Sequence, residues 1–353
     1  MTAPILVTGG CGFIGSAYIR RALRSARRPV VNVDKLGYAA NPEALEDSRI
    51  DPLYAFHKAD IGERGAMREI LARHKPAAVV NFAAETHVDR SIDGPLAFVE
   101  TNVGATARLL VETLDYWRGL DAAAQAAFRF HHVSTDEVFG ALGPDDPPFN
   151  EATPYAPNSP YAASKAASDH LVRAWHATYG LPTLVTNCSN NYGPWQFPEK
   201  LIPLMIAKAA AGEALPVYGD GRQVRDWLHV DDHAHGLALA LERGRPGEVY
   251  AFGGDAEVAN IDVVRAICAR VDAKLGPRAE GPRTDLIAHV ADRPGHDRRY
   301  AIDAAKAQRA LGWRPAHAFA TGLDATVDWY LAAGDWLARI KAERYALGRL
   351  GAG

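Results

Sequence analysis

The chain has 353 residues, and its 39 Lys and Arg against 42 Asp and Glu leave a formal net charge of −3. Charges of mixed sign give no reason to expect nucleic acid or an anionic membrane as the main partner. Three widely spaced cysteines, Cys11, Cys188 and Cys268, argue against a disulfide framework and favour a reducing compartment. No segment approaches about 20 consecutive apolar residues, and the chain runs into its first predicted strand without a basic leader. We therefore expect a cytoplasmic protein that does not enter a membrane.

A glycine-rich turn follows the first predicted strand. The apolar run 5–8 leads into Gly9, Gly12 and Gly15, and helical sequence continues to about residue 25. Glycines at this place allow a tight strand-to-helix turn, so that backbone amides can meet a pyrophosphate at the helix N-terminus. The turn therefore predicts a dinucleotide site.

The second predicted strand supports the same interpretation. The run 30–33 ends at Asp34, nineteen residues beyond Gly15, where a carboxylate can accept hydrogen bonds from adenosine ribose hydroxyls. A carboxylate there would repel a 2′-phosphate, which favours NAD over NADP. Lys35 and the neighbouring pair Arg20-Arg21 weaken that preference a little.

Short apolar runs alternate with helical stretches up to about residue 190. Further strands are predicted at 78–81, 130–134 and 183–188, and helices near 62–74, 96–117 and 160–179. Continuous apolar strands that alternate with helices indicate a parallel sheet covered on both faces. The predicted fold class is α/β, with a Rossmann-like doubly wound parallel sheet.

Two short motifs in this half carry chemistry. Tyr161 and Lys165 are four residues apart, which places both on one face of a helix. A phenol beside a fixed ammonium can lose its proton near neutral pH and then serve as a base for an alcohol. Thr135, Asp136 and Glu137 follow a buried strand and add a pair of carboxylic acids. Oxidation of an alcohol does not need such a pair, so the motif indicates a second chemical step.

The regular pattern loosens beyond about residue 190. Helices are predicted near 200–212, 231–243, 261–272 and 321–342, without regular strand partners. We predict a Rossmann-like domain over 1–190 and a smaller, mixed α/β substrate domain over 191–353, with residues from about 224 to 258 returning to the first. The second domain is expected to cover the carboxyl ends of the sheet, where open α/β folds bind ligands.

On these residues the chain resembles the extended short-chain dehydrogenases/reductases and, within them, the dTDP-glucose 4,6-dehydratases. The motifs that carry the likeness are residues 7–16, 32–36, 81–92, 134–140, 161–165, 190–194, 197–203, 219–227 and 292–297. The Thr-Asp-Glu motif separates these dehydratases from related epimerases and decarboxylases. Three positions depart from the pattern: Gly37 stands where a hydroxyl residue is usual near the adenosine, Phe139 replaces a Tyr, and Thr86 replaces a Ser.

The resemblance implies a role for each residue of the two motifs. Tyr161, as phenolate, takes the proton from the sugar 4-hydroxyl, while Lys165 lowers the pKa of Tyr161 and holds the nicotinamide ribose. Thr135 donates to the oxygen at C4. Glu137 removes the proton from C5, and Asp136 protonates the departing 6-hydroxyl. These last two roles require that the two carboxyl pKa values be pushed apart.

The resemblance also implies binding residues. Those expected to hold NAD are Gly9, Gly12, Phe13, Ile14, Gly15, Asp34, Lys35, Asp60, Ile61, Ala83, Ala84, Thr101, Tyr161, Lys165 and Asn191. Those expected to bind the nucleotide-sugar are His87, Thr135, Asn190, Lys200, Leu201, Pro216, Tyr218, Arg225, Asn260, Arg293 and His296. Arg225 and Arg293 suit a diphosphate, because guanidinium groups match phosphate oxygens.

Several alternatives remain open. A 4-epimerase or another nucleotide-sugar modifier of the same fold would use Tyr161 and Lys165 without the acid pair. A catalytically silent NAD-binding regulator is a more remote reading. The tract 229–235 superficially resembles a metal site, but Asp231 and Asp232 are expected to cap a helix, and no metal is expected. The likeness favours dTDP-glucose as substrate and a homodimer, but no single residue identifies the nucleotide base.

Overall fold

The structure is a computed structural model that describes residues 3–345 and 347. The first two residues of the predicted first domain, and residues 346 and 348–353 of the second, lie outside the described part. The strands are β1 Ile5–Thr8, β2 Val30–Asp34, β3 Tyr54–Lys58, β4 Ala78–Asn81, β5 Arg129–Thr135, β6 Thr183–Cys188, β7 Asn190–Tyr192, β8 Leu215–Tyr218, β9 Val224–His229, β10 Val249–Phe252, β11 Glu257–Ala259 and β12 Ile287–Val290.

The helices surround these strands and differ widely in length. They are α1 Phe13–Arg24, α2 Ala66–His74, α3 Val88–Asp93, α4 Pro95–Phe98, α5 Thr106–Arg118, α6 Ala122–Ala127, α7 Pro160–Tyr179, α8 Leu201–Ala211, α9 Val230–Arg243, α10 Asn260–Leu275, α11 Ala305–Leu311, α12 Phe319–Ala332 and α13 Gly334–Glu343. Short 3₁₀ turns lie at Pro42–Ser48, Asp136–Phe139 and Arg283–Leu286.

A seven-stranded sheet in the order β10-β6-β5-β4-β1-β2-β3 forms the centre of the molecule. Its neighbouring strands all pair in parallel. The strands β1, β2, β4 and β6 are buried along their whole length, as expected where helices cover both faces. The strand order reverses between β1 and β4, which opens a crevice at their carboxyl ends. The predicted α/β class with a Rossmann-like parallel sheet is confirmed.

The residues beyond β6 contribute both to the parallel sheet and to a second hydrophobic core. β10 extends the parallel sheet beside β6, and α9 packs against α1 in the same core. β7, β9 and β11 form a separate three-stranded sheet, while β8 and β12 pair beside a second core built on α8, α10 and α12. Of the predicted return over about 224–258, α9 and β10 join the first sheet, whereas β9 and β11 lie with the second core. The domain division at residue 190 stays a prediction.

Two predicted helices differ from the structure, and one strand was missed. The helix expected near 96–117 contains a π-helical turn, Val99–Ala105, between α4 and α5. The helix expected near 321–342 ends at Ala332, and α13 begins at Gly334. The edge strand β3 was not predicted, because its side chains are only partly buried and form no continuous apolar run.

Candidate active site

The glycine turn between β1 and α1 forms a cradle without side chains. Gly9 has φ +66°, and a Cβ added there would lie 2.7 Å from the amide nitrogen of Ala83. A Cβ at Gly15 would lie 2.5 Å from the carbonyl oxygen of Gly9. The helix begins at Phe13, and no side chain caps its first amides. Free amides in a space that any Cβ would fill fit a pyrophosphate group.

Asp34 is fixed at the end of β2, beside this cradle. Its two carboxylate oxygens accept hydrogen bonds from the amides of Cys11, at 2.9 Å, and Leu36, at 2.8 Å. Burial raises the pKa of Asp34, while these amides and Lys35 oppose the rise. The amides therefore hold a carboxylate in place at the position predicted to face adenosine ribose hydroxyls.

Lys35 does not stand free beside that carboxylate. Its ammonium lies 3.6 Å from Glu85 and 3.8 Å from Asp60. It also lies 3.5 Å from the hydroxyl of Thr101. An ammonium already placed between two carboxylates is poorly available for a 2′-phosphate, so the weakening effect that the sequence suggested for Lys35 is small.

One cavity brings the two predicted groups of residues together. All of the predicted NAD residues line it, and so do the five predicted catalytic residues and three of the predicted substrate residues, Thr135, Asn190 and Lys200. The cavity runs from the glycine turn, across the carboxyl ends of β1, β4 and β5, to the N-terminal turn of α7. A dinucleotide and a sugar would therefore meet at the acid pair.

The catalytic residues come from the end of β5 and the start of α7. Thr135 is the last residue of β5, and a short 3₁₀ turn carries Asp136 and Glu137. The hydroxyl of Thr135 accepts from the amide of Glu137 at 3.3 Å and donates to Asp136 at 3.3 Å. Tyr161 lies in the first turn of α7 and packs edge-on against Phe98, with ring centroids 6.3 Å apart.

The two acids have different surroundings. Burial raises the pKa of Asp136 well above its usual value, and the neighbouring carboxylates of Glu137 and Asp226 raise it further. Burial also raises the pKa of Glu137, but three cations, Arg293, Lys200 and Arg225, oppose that rise. Asp136 is therefore the group that keeps its proton, and Glu137 is the one that can ionise.

Tyr161 is held in its neutral form in this structure. Burial raises its pKa well above the usual value, and the charge of Glu137 adds to the rise, while a hydrogen bond with Thr135 opposes it. The ammonium of Lys165 donates to the carbonyl oxygen of Val133 at 2.9 Å. The predicted effect of Lys165 on the pKa of Tyr161 thus stays a prediction.

A second polar cluster lies beside Glu137, outside the lining of the cavity. Arg293 donates to Asp89 at 2.8 Å, and the hydroxyl of Tyr218 donates to the other oxygen of Asp89 at 2.7 Å. The ring of His296 lies 6.0 Å from that of Tyr218. Arg293 influences Glu137 directly. Four of the predicted substrate residues, Tyr218, Arg225, Arg293 and His296, thus lie in or beside one cluster next to the acid pair.

Four predicted substrate residues remain: His87, Leu201, Pro216 and Asn260. His87 is buried beside Lys200 and Asp89, and both neighbours influence its pKa, which falls to about 3 mainly through burial. Leu201 packs against the second core at the start of α8. Pro216 lies in β8, and Asn260 begins α10. The lining of the described cavity includes none of these four residues.

Sequence reasoning missed three charged or phenolic residues around the site. Glu199 is buried, accepts from the hydroxyl of Tyr38 at 3.0 Å and lies 3.6 Å from Arg90. Asp89 holds Arg293, as described above. Tyr300 lies beneath the guanidinium of Arg225, 4.2 Å from its ring centroid. Asp89 and Glu199 lie within the family motifs 81–92 and 197–203, whereas Tyr300 lies outside every such motif.

The tract 229–235 differs from its predicted form. The side chain of His229, not an acid, caps α9 by accepting from the amide of Asp231 at 3.3 Å. Asp232 instead accepts from the amides of Ala316 and His317. Within residues 3–345 and 347, no group of three or more His, Cys, Asp or Glu is placed to hold a metal ion.

Comparison with known proteins agrees with this geometry. The profile of the GDP-mannose 4,6 dehydratase family matches residues 6–326. A dTDP-glucose 4,6-dehydratase from Xanthomonas campestris pv. campestris (strain B100) is 57% identical over 351 residues, covering 99% of each chain. This chain belongs to the dTDP-glucose 4,6-dehydratase family. A member from Escherichia coli (strain K12), dTDP-glucose 4,6-dehydratase 1, is 55% identical over 349 residues, 97% of this chain and 96% of that one.

A solved structure shows the same fold. The crystal structure of a dTDP-glucose 4,6-dehydratase from Streptomyces venezuelae, with NAD bound, is 44% identical and superposes with a TM-score of 0.85. The match covers 94% of this chain and 98% of that one.

Proposed function

We propose that this protein is a dTDP-glucose 4,6-dehydratase, a hydro-lyase that converts dTDP-glucose to dTDP-4-keto-6-deoxy-glucose and water for deoxysugar synthesis, rhamnose being one example. The observation that carries the proposal is the acid pair of Asp136 and Glu137, which lies in one cavity with Tyr161, Lys165 and the glycine turn. Oxidation at C4 alone would not require the acid pair. Elimination of water requires both an acid and a base.

The cavity fits NAD as a tightly held cofactor. The glycine turn offers free amides to the pyrophosphate, and the fixed carboxylate of Asp34 accepts from ribose hydroxyls. When bound, NAD⁺ accepts a hydride from C4 of the sugar and later returns it to C6. The reaction therefore needs no external oxidant or reductant.

The first step uses the residues of α7 and β5. Tyr161 removes the proton from the 4-hydroxyl as C4 becomes a ketone, and Thr135, hydrogen-bonded to Tyr161, stabilises the oxygen at C4. Because burial holds Tyr161 neutral, a nearby positive charge must favour its phenolate. Lys165 lies one helical turn away on α7, and we propose that it supplies this charge.

The second step uses the acid pair. The ketone at C4 acidifies the hydrogen on C5, and Glu137 removes that proton. Asp136 gives its proton to the departing 6-hydroxyl, and water leaves. The cations around Glu137 and the carboxylates around Asp136 support this assignment of base and acid. Glu137 can then return its proton to C5 as the hydride reaches C6.

The polar cluster beside Glu137 is suited to the nucleotide diphosphate. Arg225 is almost fully buried, and its guanidinium lies over the ring of Tyr300. Arg293 is held by Asp89. Two arginines with fixed guanidinium groups match the oxygens of a diphosphate. Family membership favours thymidine as the base, whereas the residues of the cluster address only the phosphates.

One assay tests this function. The purified protein is incubated separately with dTDP-glucose, UDP-glucose and GDP-mannose, and the product is followed by mass and by the absorbance of the keto-sugar in alkali. We expect loss of one water from dTDP-glucose with the highest kcat/KM. A product of unchanged mass with inverted configuration at C4 would favour the epimerase, and no turnover of any sugar would favour the non-catalytic regulator.

We also propose a homodimer formed through α5 and α7. Leu96 is 73% exposed, Val99 50% and Val111 46%, and all three lie along the interrupted helix from α4 to α5. Ala174 and Tyr179 are exposed on the neighbouring α7. An exposed apolar surface on two packed helices is suited to a four-helix bundle with a second copy.

Light scattering at micromolar concentration tests the dimer. We expect twice the chain mass, and we expect the double substitution of Leu96 and Val99 by Glu to give a monomer. Ile50→Glu, at a position that is 88% exposed elsewhere on the surface, is the matched control and should leave the mass unchanged. A monomeric parent protein would contradict the proposal.

We further propose that the protein acts in the cytoplasm. The thiols of Cys11, Cys188 and Cys268 are free and buried, which suits a reducing compartment. Helices long and apolar enough to cross a membrane are absent from the described part of the chain. Fractionation of the source cells with an antibody against the protein would test the location.

A further inference from the structure

Asp169 is a buried carboxylate one helical turn beyond Lys165 on α7, and it has no role in the steps above. Only 3% of its surface is exposed. One of its oxygens, Oδ2, accepts from the hydroxyl of Ser134 at 2.7 Å and from the hydroxyl of Tyr155 at 2.9 Å. The amide of Asn187 approaches the same oxygen at 3.4 Å. Three donors thus hold this carboxylate in one orientation.

The second oxygen of Asp169 lies beside His132. Oδ1 makes no hydrogen bond, yet it lies 3.4 Å from Nε2 of His132. The same ring nitrogen lies 3.3 Å from Nζ of Lys165. His132 therefore lies between the carboxylate and the ammonium, and all three side chains are almost fully buried.

Asp169 also connects the two catalytic motifs. Ser134 immediately precedes Thr135 at the end of β5. The side-chain amide of Asn187 that approaches Asp169 also donates to the carbonyl oxygen of Thr135 at 3.0 Å. A single carboxylate thus contacts the strand that directly precedes the acid pair and lies on the helix that carries Tyr161 and Lys165.

We propose that Asp169 is a positioning residue for the proposed dehydratase reaction: its charge, buried beside His132 and Lys165, keeps the ammonium of Lys165 charged, and through Ser134 and Asn187 it fixes Thr135 beside Tyr161. The inference rests on the proposed function only for its effect on turnover. The charge relation between Asp169 and Lys165 is a property of the protein alone.

The electrostatics of the site agree with this geometry. Burial lowers the pKa of Lys165, and the carboxylate of Asp169 is the main influence that raises it. Burial raises the pKa of Asp169 to about 6, while Lys165 lowers it. The pKa of His132 lies well below its usual value, so the imidazole between them is neutral. The carboxylate of Asp169 and the ammonium of Lys165 therefore each favour the charged form of the other.

The other titratable groups near the pair are few. Tyr155, from the loop before α7, donates to Asp169, and burial raises its phenol pKa far above neutral. Cys188 of β6 raises the pKa of Lys165 only as a thiolate, and burial keeps this thiol protonated. Neither group changes its charge near neutral pH. Asp169 is thus the group whose charge determines that of Lys165.

The test substitutes Asp169 and follows Lys165. Asp169→Asn keeps the shape and can still accept from Ser134, but it removes the charge. The Lys165 pKa is measured by NMR on protein with ¹³C-labelled lysine side chains, with the signal assigned by Lys165→Met. We expect the pKa to fall by about one unit or more in Asp169→Asn. Tyr155→Phe, which keeps the charge and removes one hydrogen bond, should leave it unchanged.

Turnover provides the second measurement. With dTDP-glucose, we expect Asp169→Asn to lose at least tenfold in kcat with a smaller change in KM. Its pH profile should narrow, because Tyr161 then ionises at higher pH and Lys165 loses its proton at lower pH. Asp169→Glu should restore part of the rate and width. Lower activity with unchanged pH limits and an unchanged Lys165 pKa would reduce Asp169 to a structural residue and overturn the proposal.

Two further measurements distinguish failure of this proposal from misfolding of the variant and from failure of the proposed function. If Asp169→Asn does not fold, Lys165→Met supplies the reciprocal measurement: the pKa of Asp169, followed by carboxylate NMR, should rise by about one unit. An unchanged value would overturn the proposal. If the parent protein does not turn over dTDP-glucose, the proposed function fails, whereas the shift in the Lys165 pKa still tests the positioning role.

Discussion

Replacing Glu137 with Gln should separate the two halves of the reaction. The substitution keeps the shape and hydrogen-bonding capacity of the side chain but removes the base that C5 requires. The hydrogen bond from the amide of residue 137 to Thr135 involves the backbone and survives the change. Oxidation at C4 depends on Tyr161 and Lys165, so it should continue, whereas elimination should not.

The size of the loss follows from the role. Loss of a general base reduces the rate by about a hundredfold or more, and a hundredfold corresponds to about 2.7 kcal/mol in the barrier. The substitution should also make Tyr161 a base at lower pH. The charge of Glu137 raises the pKa of Tyr161, so removal of that charge lowers the pKa. Oxidation at C4 should therefore extend to lower pH in Glu137→Gln than in the parent.

The assay measures both halves on the same protein. Product is measured by the mass of the keto-sugar, and oxidation at C4 by the absorbance or fluorescence of enzyme-bound reduced nicotinamide in a single turnover. Glu137→Gln should give the nicotinamide signal with at least a hundredfold less product. Tyr161→Phe, the control, should give neither. Product formation by Glu137→Gln at a near-normal rate would refute the role of the acid pair and favour an epimerase.

Further predictions concern the cofactor, its cradle and the cations around Glu137. Turnover should need no added NAD⁺ once the cofactor is bound, and stoichiometric NADH in the medium, measured by absorbance, would contradict the cycle. Gly9→Ala should purify with less bound NAD than the parent, because φ is +66° and the Cβ would lie 2.7 Å from the amide nitrogen of Ala83. The NAD content is measured after the purified protein is denatured. Arg293→Ala should raise the pKa of Glu137 and so move the acid limb of kcat to higher pH. Arg298→Ala, the control, changes an exposed arginine bound to Asp220 and should leave that limb in place.

The sequence predicted those parts of the site that depend on local structure. The glycine turn comes directly after β1, and Asp34 is the last residue of β2. Thr135 is the last residue of β5, and Asp136 and Glu137 come directly after it. In a parallel sheet the carboxyl ends of such strands lie at one edge, so residues far apart in sequence were expected to meet. The spacing of Tyr161 and Lys165 likewise followed from the helical repeat alone.

Features that depend on tertiary packing gave no such signal. The π-helical turn at Val99–Ala105 contains Gly104, but a single glycine in a helical stretch does not predict an extra residue in the helix. Strand β3 lies at an edge and is partly exposed, so it lacks the apolar run that identified the central strands. Asp169 reads in sequence as an ordinary acid on a helix. Only the fold shows that it is buried against β5 beside His132.

The separate roles of the two adjacent acids also depend on the tertiary fold. Asp136 and Glu137 follow each other in sequence, and burial alone would raise both pKa values in the same direction. They differ because Lys200 and Arg293, both from beyond β6, oppose the rise in the pKa of Glu137. Glu137 and Asp226 raise the pKa of Asp136 further, while Arg225 lowers the pKa of both acids. The second part of the chain thus supplies both the proposed diphosphate contacts and the charges that make Glu137 a base. Binding of a diphosphate would partly neutralise these cations and raise the pKa of Glu137, which strengthens it as a base when the sugar is present.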